Sequence, residues 1–394
     1  LLSALDDWLR YSRASWEAAG SPQTLDPSLL FADPIAHNRA SYHWLVARYR
    51  QPFHDLYQDI APDGAVLSQQ PPYFIAQWAS YYDPITIWKQ VSPLFVFAQA
   101  LGGIDKRHVE LARAYTLGYG IPVMAIDRML DGLPGTPHAR DTWLFALASY
   151  ALGLEQIQKA KAPESVLSCF LSHTQQMFHF FWNEERLRYQ LPEAVTADVL
   201  SEYLAGNSRL LSSIFLPVTI SWALVLAKGQ VPADFAPALA ALRRVRQLND
   251  ELVDADDDIR YGIVTYPYLH GLASDRAGEL AQNIRATWEL DRSEPGSPGA
   301  LGLTQQRRQL LRDSGSFAAT AQSSLGFLRT AMHAVMRHVP AAAGFDVSLL
   351  LNQRLSHLLR LAQNDWKDLP QVYQPEPFVD QAMNAAAVPI AAAG

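Results

Sequence analysis

"RQLNDELVDADDDIRYGIVTYP", residues 246–267, gathers Asp250, Glu251, Asp254, Asp256, Asp257 and Asp258 inside a chain that is only 18% charged. Their spacing matters more than their number. Asp250 and Asp254 are four apart, and Asp257 or Asp258 follows after three or four more, so on a helix these side chains form one stripe. The stripe falls near a helix C-terminus, where carboxylates repel one another and also face the negative end of the helix dipole. A divalent cation reverses both penalties, and an oxygen-only donor set suits Mg²⁺. A solvated acidic helix end competes with this reading, and the stretch alone does not decide between the two.

The surroundings of the stretch read as helix in both directions. "PALAALRRVRQLNDELVDA", "HVELARAYTLGYGIPVMAIDRML" and "ARDTWLFALASYALGLEQIQKA" place apolar residues three and four apart, and strand-like alternation is rare. The fold class is therefore all-α. Pro and Gly cluster at 60–64, 69–73, 131–138, 228–232 and 292–302, which are expected to be connections between helices. Residues 1–80 are expected to form an N-terminal helical extension, 81–369 the main helical domain, and 370–394, ending "AAAVPIAAAG", a low-complexity tail.

Composition narrows the function classes. With 394 residues, 49% of them hydrophobic, the chain can bury a large core. A net charge of -7 and the lack of a basic stripe argue against nucleic acid as partner. The single cysteine, Cys169, lies in an apolar run and offers neither a disulfide framework nor a thiolate metal site. No run of about eighteen apolar residues suggests an integral membrane segment, and acids stand where a signal peptide would carry basic residues. The expected location is cytoplasmic.

A second acidic pair changes the weighing of the first. Asp127 and Asp131 in "PVMAIDRMLDGLPG" are again four apart, at the end of an apolar helix and just before a Gly/Pro break. Four carboxylates converging from two helices, without His or Cys, would hold Mg²⁺ with positions left for water and substrate phosphate.

Taken together, "DRMLD" (127–131), "QLNDELVD" (247–254) and "GIVTYP" (262–267) resemble the two aspartate-rich motifs and the Gly-x-x-Thr-x-Pro element of the trans-polyprenyl diphosphate synthases. The resemblance spans about residues 84 to 366 and implies the class I isoprenoid synthase fold, a helical bundle around a central cavity. It implies Asp127, Asp131, Asp250 and Asp254 as metal ligands, with Gln247 and Lys89 as substrate contacts. The departures are equally specific. Where the family carries Lys-Arg-x-Arg-Pro, this chain has "KQVSP" (89–93), keeping Lys89 and Pro93 alone, and "GLPGTPH" replaces the Arg-Arg pair after the first motif. Without arginines to match phosphate geometry, the homoallylic site is read as lost and the allylic, metal-dependent site as kept.

Arg209 in "AGNSRLLSSIF" precedes Asp250 by 41 residues, near the family's Lys-Thr pair, and is the candidate for diphosphate recognition. Arg260 is a second candidate to close over the same diphosphate, and Arg128, in place of the motif's second Asp, is expected to lower the number of metals bound. Counting back from Asp127 in steps of four gives Val123 and Tyr119 on one helix face. Eight residues at about 1.5 Å each set Tyr119 roughly 12 Å below the metal site as the floor of a prenyl pocket. That depth predicts a preference for ten- to fifteen-carbon chains among allylic prenyl diphosphates of ten to twenty carbons, by order-of-magnitude matching of length.

The resemblance therefore implies Mg²⁺-dependent ionisation of an allylic prenyl diphosphate, followed by cyclisation or deprotonation as in a terpene synthase. Transfer of the prenyl group to an acceptor is the alternative, and a non-catalytic partner subunit of a prenyl synthase is a third reading. By analogy with prenyl synthases a homodimer is expected.

Overall fold

The computed structural model describes residues 5–132, 138–206, 218–227, 232–293 and 298–363. Among them every regular element is helical. In chain order these are α1 (Asp6–Ala18), α2 (Leu29–Ala32), α3 (Pro34–Arg48), α4 (Arg50–Ile60), α5 (Pro72–Tyr81) and α6 (Pro84–Leu101). There follow α7 (Lys106–Tyr115), α8 (Ile121–Leu130), α9 (Ala139–Lys159), α10 (Glu164–Leu187), α11 (Ala197–Ala205) and α12 (Val218–Leu226). The last are α13 (Phe235–Val253), α14 (Ala255–Arg260), α15 (Tyr266–Leu272), α16 (Ala277–Ser293), α17 (Pro298–Asp313), α18 (Ser316–His338) and α19 (Phe345–Gln363).

Local chemistry sets the helix starts. Asp83 caps α6 by accepting from the backbone N–H of Ile85 and Thr86, with Pro84 in the first turn, where its missing donor costs nothing. Asp105 and His108 close a capping box on α7. The Pro/Gly cluster at 292–302 is a shorter break than expected, because Pro298 and Gly299 already belong to α17. Proline is compatible with a first helical turn.

Between α7 and α8 the chain widens into a π-helical turn, Thr116–Gly120. Its closing bond, from the Ile121 N–H to the Thr116 carbonyl, comes just before Pro122, which has no N–H to give. The turn also permits a close crossing. A Cβ on Gly153 would lie 2.3 Å from the Gly118 Cα, so only glycine lets α9 approach this wall.

One apolar core runs from Leu5 through Leu355, so the N-terminal helices share the core of the main bundle. Trp8 donates its indole N–H to Asn352 on α19 at 2.8 Å, and α3 packs along the same helix. Inside the bundle α13 lies against α18, α6 against α12, and α8 against α9. No helix among the described residues is long and apolar enough to cross a membrane. The expected tail, 370–394, lies outside the described residues.

Candidate active site

The C-terminal ends of α8 and α13 meet at one cavity of about 350 Å³. Asp127 and Asp131 enter it from α8 and its cap, and Asp250 enters from the last turn of α13. The helix breaks at Asp254, yet the Asp258 N–H still bonds the Asp254 carbonyl at 2.8 Å. Asp250, Asp254 and Asp258 therefore keep one face and all line the cavity, with Glu184 added from α10.

This gathering is electrostatically unfavourable for the protein by itself. Burial, then Asp131, Glu184 and Asp250, push Asp127 up to about 8, against a smaller pull downward from Arg188. Burial, then Asp250, Asp257 and Asp131, push Asp254 up to about 7, and Asp258 is raised well above the ordinary carboxylate range for the same kinds of reason. Asp250 and Asp254 do present accessible surface, but to the cavity, where surrounding protein deprives them of bulk water. Among the described residues no three carboxylate, imidazole or thiolate groups close into a cage for an ion. Oxygen donors that line a space without closing it leave room for water or phosphate oxygens to complete the shell of a hard divalent ion.

The rest of the acidic stretch is otherwise engaged. Glu251 accepts from the Tyr203 hydroxyl at 2.6 Å, Gln247 Nε2 at 2.5 Å and the Tyr266 N–H at 3.0 Å, while burial still holds it up at about 7. Gln247 also accepts from Arg244 at 2.7 Å, so this cavity-lining amide is fixed by neighbours on both sides. Asp256 turns away and pairs with Arg307 at 3.1 Å and with Arg308. Asp257 stays outside, 3.6 Å from Arg260.

Positive charge enters from three helices. Lys89 on α6 and Arg246, one turn before Asp250 on α13, line the cavity, and Arg354 comes from α19, which packs on both of those helices. Burial raises Asp250, whereas Arg246, Arg354 and Lys89 draw it back down. Burial, then Arg354, lowers Lys89. A separate cation, Arg188 just after α10, is paired with Asp131 at 3.0 Å and Glu184 at 2.8 Å.

Aromatic rings line the deeper wall. Tyr119, on the π turn, is 1% exposed, stacks on Tyr115 at 5.4 Å and meets Phe170 edge-on at 6.4 Å. Trp222 packs behind them against Tyr115 and Phe170. Val123 lies one turn nearer Asp127 on the same cavity wall, so the irregular turn preserves the counting made from sequence.

Thus Lys89, Tyr119, Val123, Asp127, Asp131, Gln247, Asp250 and Asp254 line one cavity. Arg260 does not. It is two residues past Asp258, which at about 100° per residue turns it to the opposite side of α14, where it stands 3.7 Å from Asp291. Arg128 lies over the Tyr81 ring at 5.5 Å and is likewise not part of the lining. Arg209 lies outside the described residues. Sequence reasoning missed Glu184, Arg188, Arg246 and Arg354. "NEERLR" (183–188) reads as a solvated helix end, and only the one-turn spacing of Arg246 from Asp250 offered a local signal.

No protein-family model matches the sequence, and no curated protein matches it. Solved structures do match in fold. A polyprenyl synthase from Caulobacter crescentus, complexed with calcium and isoprenyl diphosphate, superposes with a TM-score of 0.58 at 17% identity, covering 79% of this chain and 96% of that one. A geranylgeranyl pyrophosphate synthase from Lactobacillus brevis gives 0.59 at 14% identity, covering 79% and 99%. A decaprenyl diphosphate synthase from Rhodobacter capsulatus gives 0.58 at 16% identity, with the same coverage of 79% and 99%. The fold is that of the class I isoprenoid synthases.

Proposed function

We propose that the cavity binds an allylic prenyl diphosphate together with Mg²⁺ and ionises it, releasing diphosphate and an allylic carbocation. The observation that carries this reading is the meeting of two carboxylate-bearing helix ends over an aromatic-lined cavity. Asp127, Asp250 and Asp254 would hold the metal, with Asp131 beside them. These residues would place the ion's positive charge beside the departing diphosphate. The similar fold of a synthase complexed with calcium and isoprenyl diphosphate supports a divalent ion in this role.

The chain's own residues do the remainder. The faces of Tyr115 and Tyr119 stabilise a nearby cation by about 2 kcal/mol when desolvated. Val123 and the buried rings behind the wall keep water from quenching it. Cyclisation or proton loss then gives a terpene. Transfer to an acceptor is the second reading, and Lys89 and Arg246 favour it, because their positive charge on the cavity lining suits an acidic co-substrate that the motif comparison alone had removed.

The test is diphosphate release with Mg²⁺ and geranyl, farnesyl or geranylgeranyl diphosphate, with and without isopentenyl diphosphate. Release that Asp250→Asn abolishes supports ionisation, and product analysis separates the two fates. No release from any of the three substrates overturns the reading.

A further inference from the structure

Arg188 follows the last residue of α10, and its side chain is 9% exposed. One guanidinium nitrogen, Nη2, donates to Asp131 Oδ1 at 3.0 Å and to Glu184 Oε1 at 2.8 Å. Nη1 donates to the Tyr261 carbonyl at 3.0 Å, and Nε stands 3.0 Å from Glu185 Oε2. The next backbone N–H, of Tyr189, donates to the Gly262 carbonyl at 2.8 Å. Gly262 has φ +82°, and a Cβ there would come within 2.8 Å of Tyr189. The end of α10 is thereby clasped to the turn that follows the second acidic motif, and the clasp holds the guanidinium against the first.

This divides the carboxylates into two sets. Asp131 and Glu184 share, with the exposed Glu185 outside the cavity, a positive charge that belongs to the protein. Among the described residues Asp127, Asp254 and Asp258 make no ion pair, although all three line the same cavity. A planar guanidinium suits the bridging position: Nη2 serves both carboxylates while the Tyr261 carbonyl holds Nη1, a fixed orientation that an ammonium does not impose.

We propose that Arg188 is a resident cation of the carboxylate cradle: it fills the place beside Asp131 and Glu184 that a divalent ion would otherwise take, leaving Asp127, Asp254 and Asp258, with Asp250 beside them, as the ion-binding side. This rests on the reading above that the cavity takes Mg²⁺. Asp131 is then a positioning residue for Arg188, and the site binds fewer ions than its carboxylates would otherwise hold.

The experiment counts bound Mn²⁺ on the full chain by electron paramagnetic resonance, in the presence of inorganic diphosphate, with folding checked by circular dichroism. Arg188→Gln is expected to bind an additional ion, and Arg188→Lys to return the wild-type count. Asp131→Asn is expected to keep the wild-type count while Asp127→Asn lowers it, a comparison that decides the matter even where Arg188→Gln does not fold. A folded Arg188→Gln with the wild-type count, or an Asp131→Asn that loses an ion as Asp127→Asn does, overturns the inference and leaves the metal reading standing. Absence of Mn²⁺ binding in every form overturns both.

Discussion

Asp254 and Asp256 are two residues apart in the same acidic run, yet they meet opposite surroundings. Asp256 faces Arg307, which is fully buried and also donates to the Tyr268 hydroxyl at 3.1 Å and the Thr287 hydroxyl at 2.9 Å. Asp254 lines the cavity with Asp250 and Asp131, and both of these, together with Asp257 outside it, raise Asp254. A charge run is therefore not one feature. Its compensated side holds α14 against α16 and α17, and its uncompensated side is left for a ligand to complete.

The largest expected effect tests the compensated side. Asp256→Ala leaves the Arg307 charge buried without its carboxylate, which should cost about 3–5 kcal/mol in urea unfolding while the folded fraction keeps its diphosphate release. A loss under about 1 kcal/mol would mean that Asp256 behaves as a surface pair. Asp254→Asn should do the reverse. Diphosphate release should fall about 10²–10³-fold, the range for loss of one element of a charge-stabilising site, with the melting temperature unchanged or raised.

A pH series sharpens the same contrast. Asp127 near 8 and Asp254 near 7 lie above the unfolded value of 3.8, so over that interval the folded state holds protons that the unfolded state has released. Stability is fullest below the unfolded value and is lost as pH rises toward the folded ones. In chelator, the melting temperature should fall as pH rises from about 5 to about 8, and Mg²⁺ should restore more at the higher pH, where it displaces fewer protons. A chelated protein that stabilises over this range would contradict the assignment of Asp127 and Asp254 as uncompensated. The smallest effect concerns depth. Tyr119→Ala should shift selectivity toward longer prenyl diphosphates by about tenfold, as expected for pocket volume alone. Unchanged chain-length selectivity in the folded variant would assign the floor to another ring, with Trp222 next in line.

The sequence made the helical class and much of the cavity lining legible because both are local. Residues four apart share a helix face wherever the helix goes, and Asp127 with Asp131, or Asp250 with Asp254, needs nothing else. Tyr119 and Val123 follow from the same counting, even across a π turn that periodicity does not reveal. What was not legible comes from pairing between distant helices. Arg188 meets Asp131 across 57 positions, and Arg307 meets Asp256 across 51. Each looks in sequence like an ordinary helix charge. Arg260 is the complementary case: it is close to Asp258 along the chain, yet the rotation of α14 places it outside the cavity lining, beside Asp291.

The bond between Trp8 and Asn352 sets a timetable for synthesis. Its two ends are 344 residues apart, so α1 must wait for α19 before it can take its final partner. At roughly 5–20 residues per second that wait is about 17–70 s. Throughout it the face of α1 that carries Trp8 lacks the C-terminal helix it packs on.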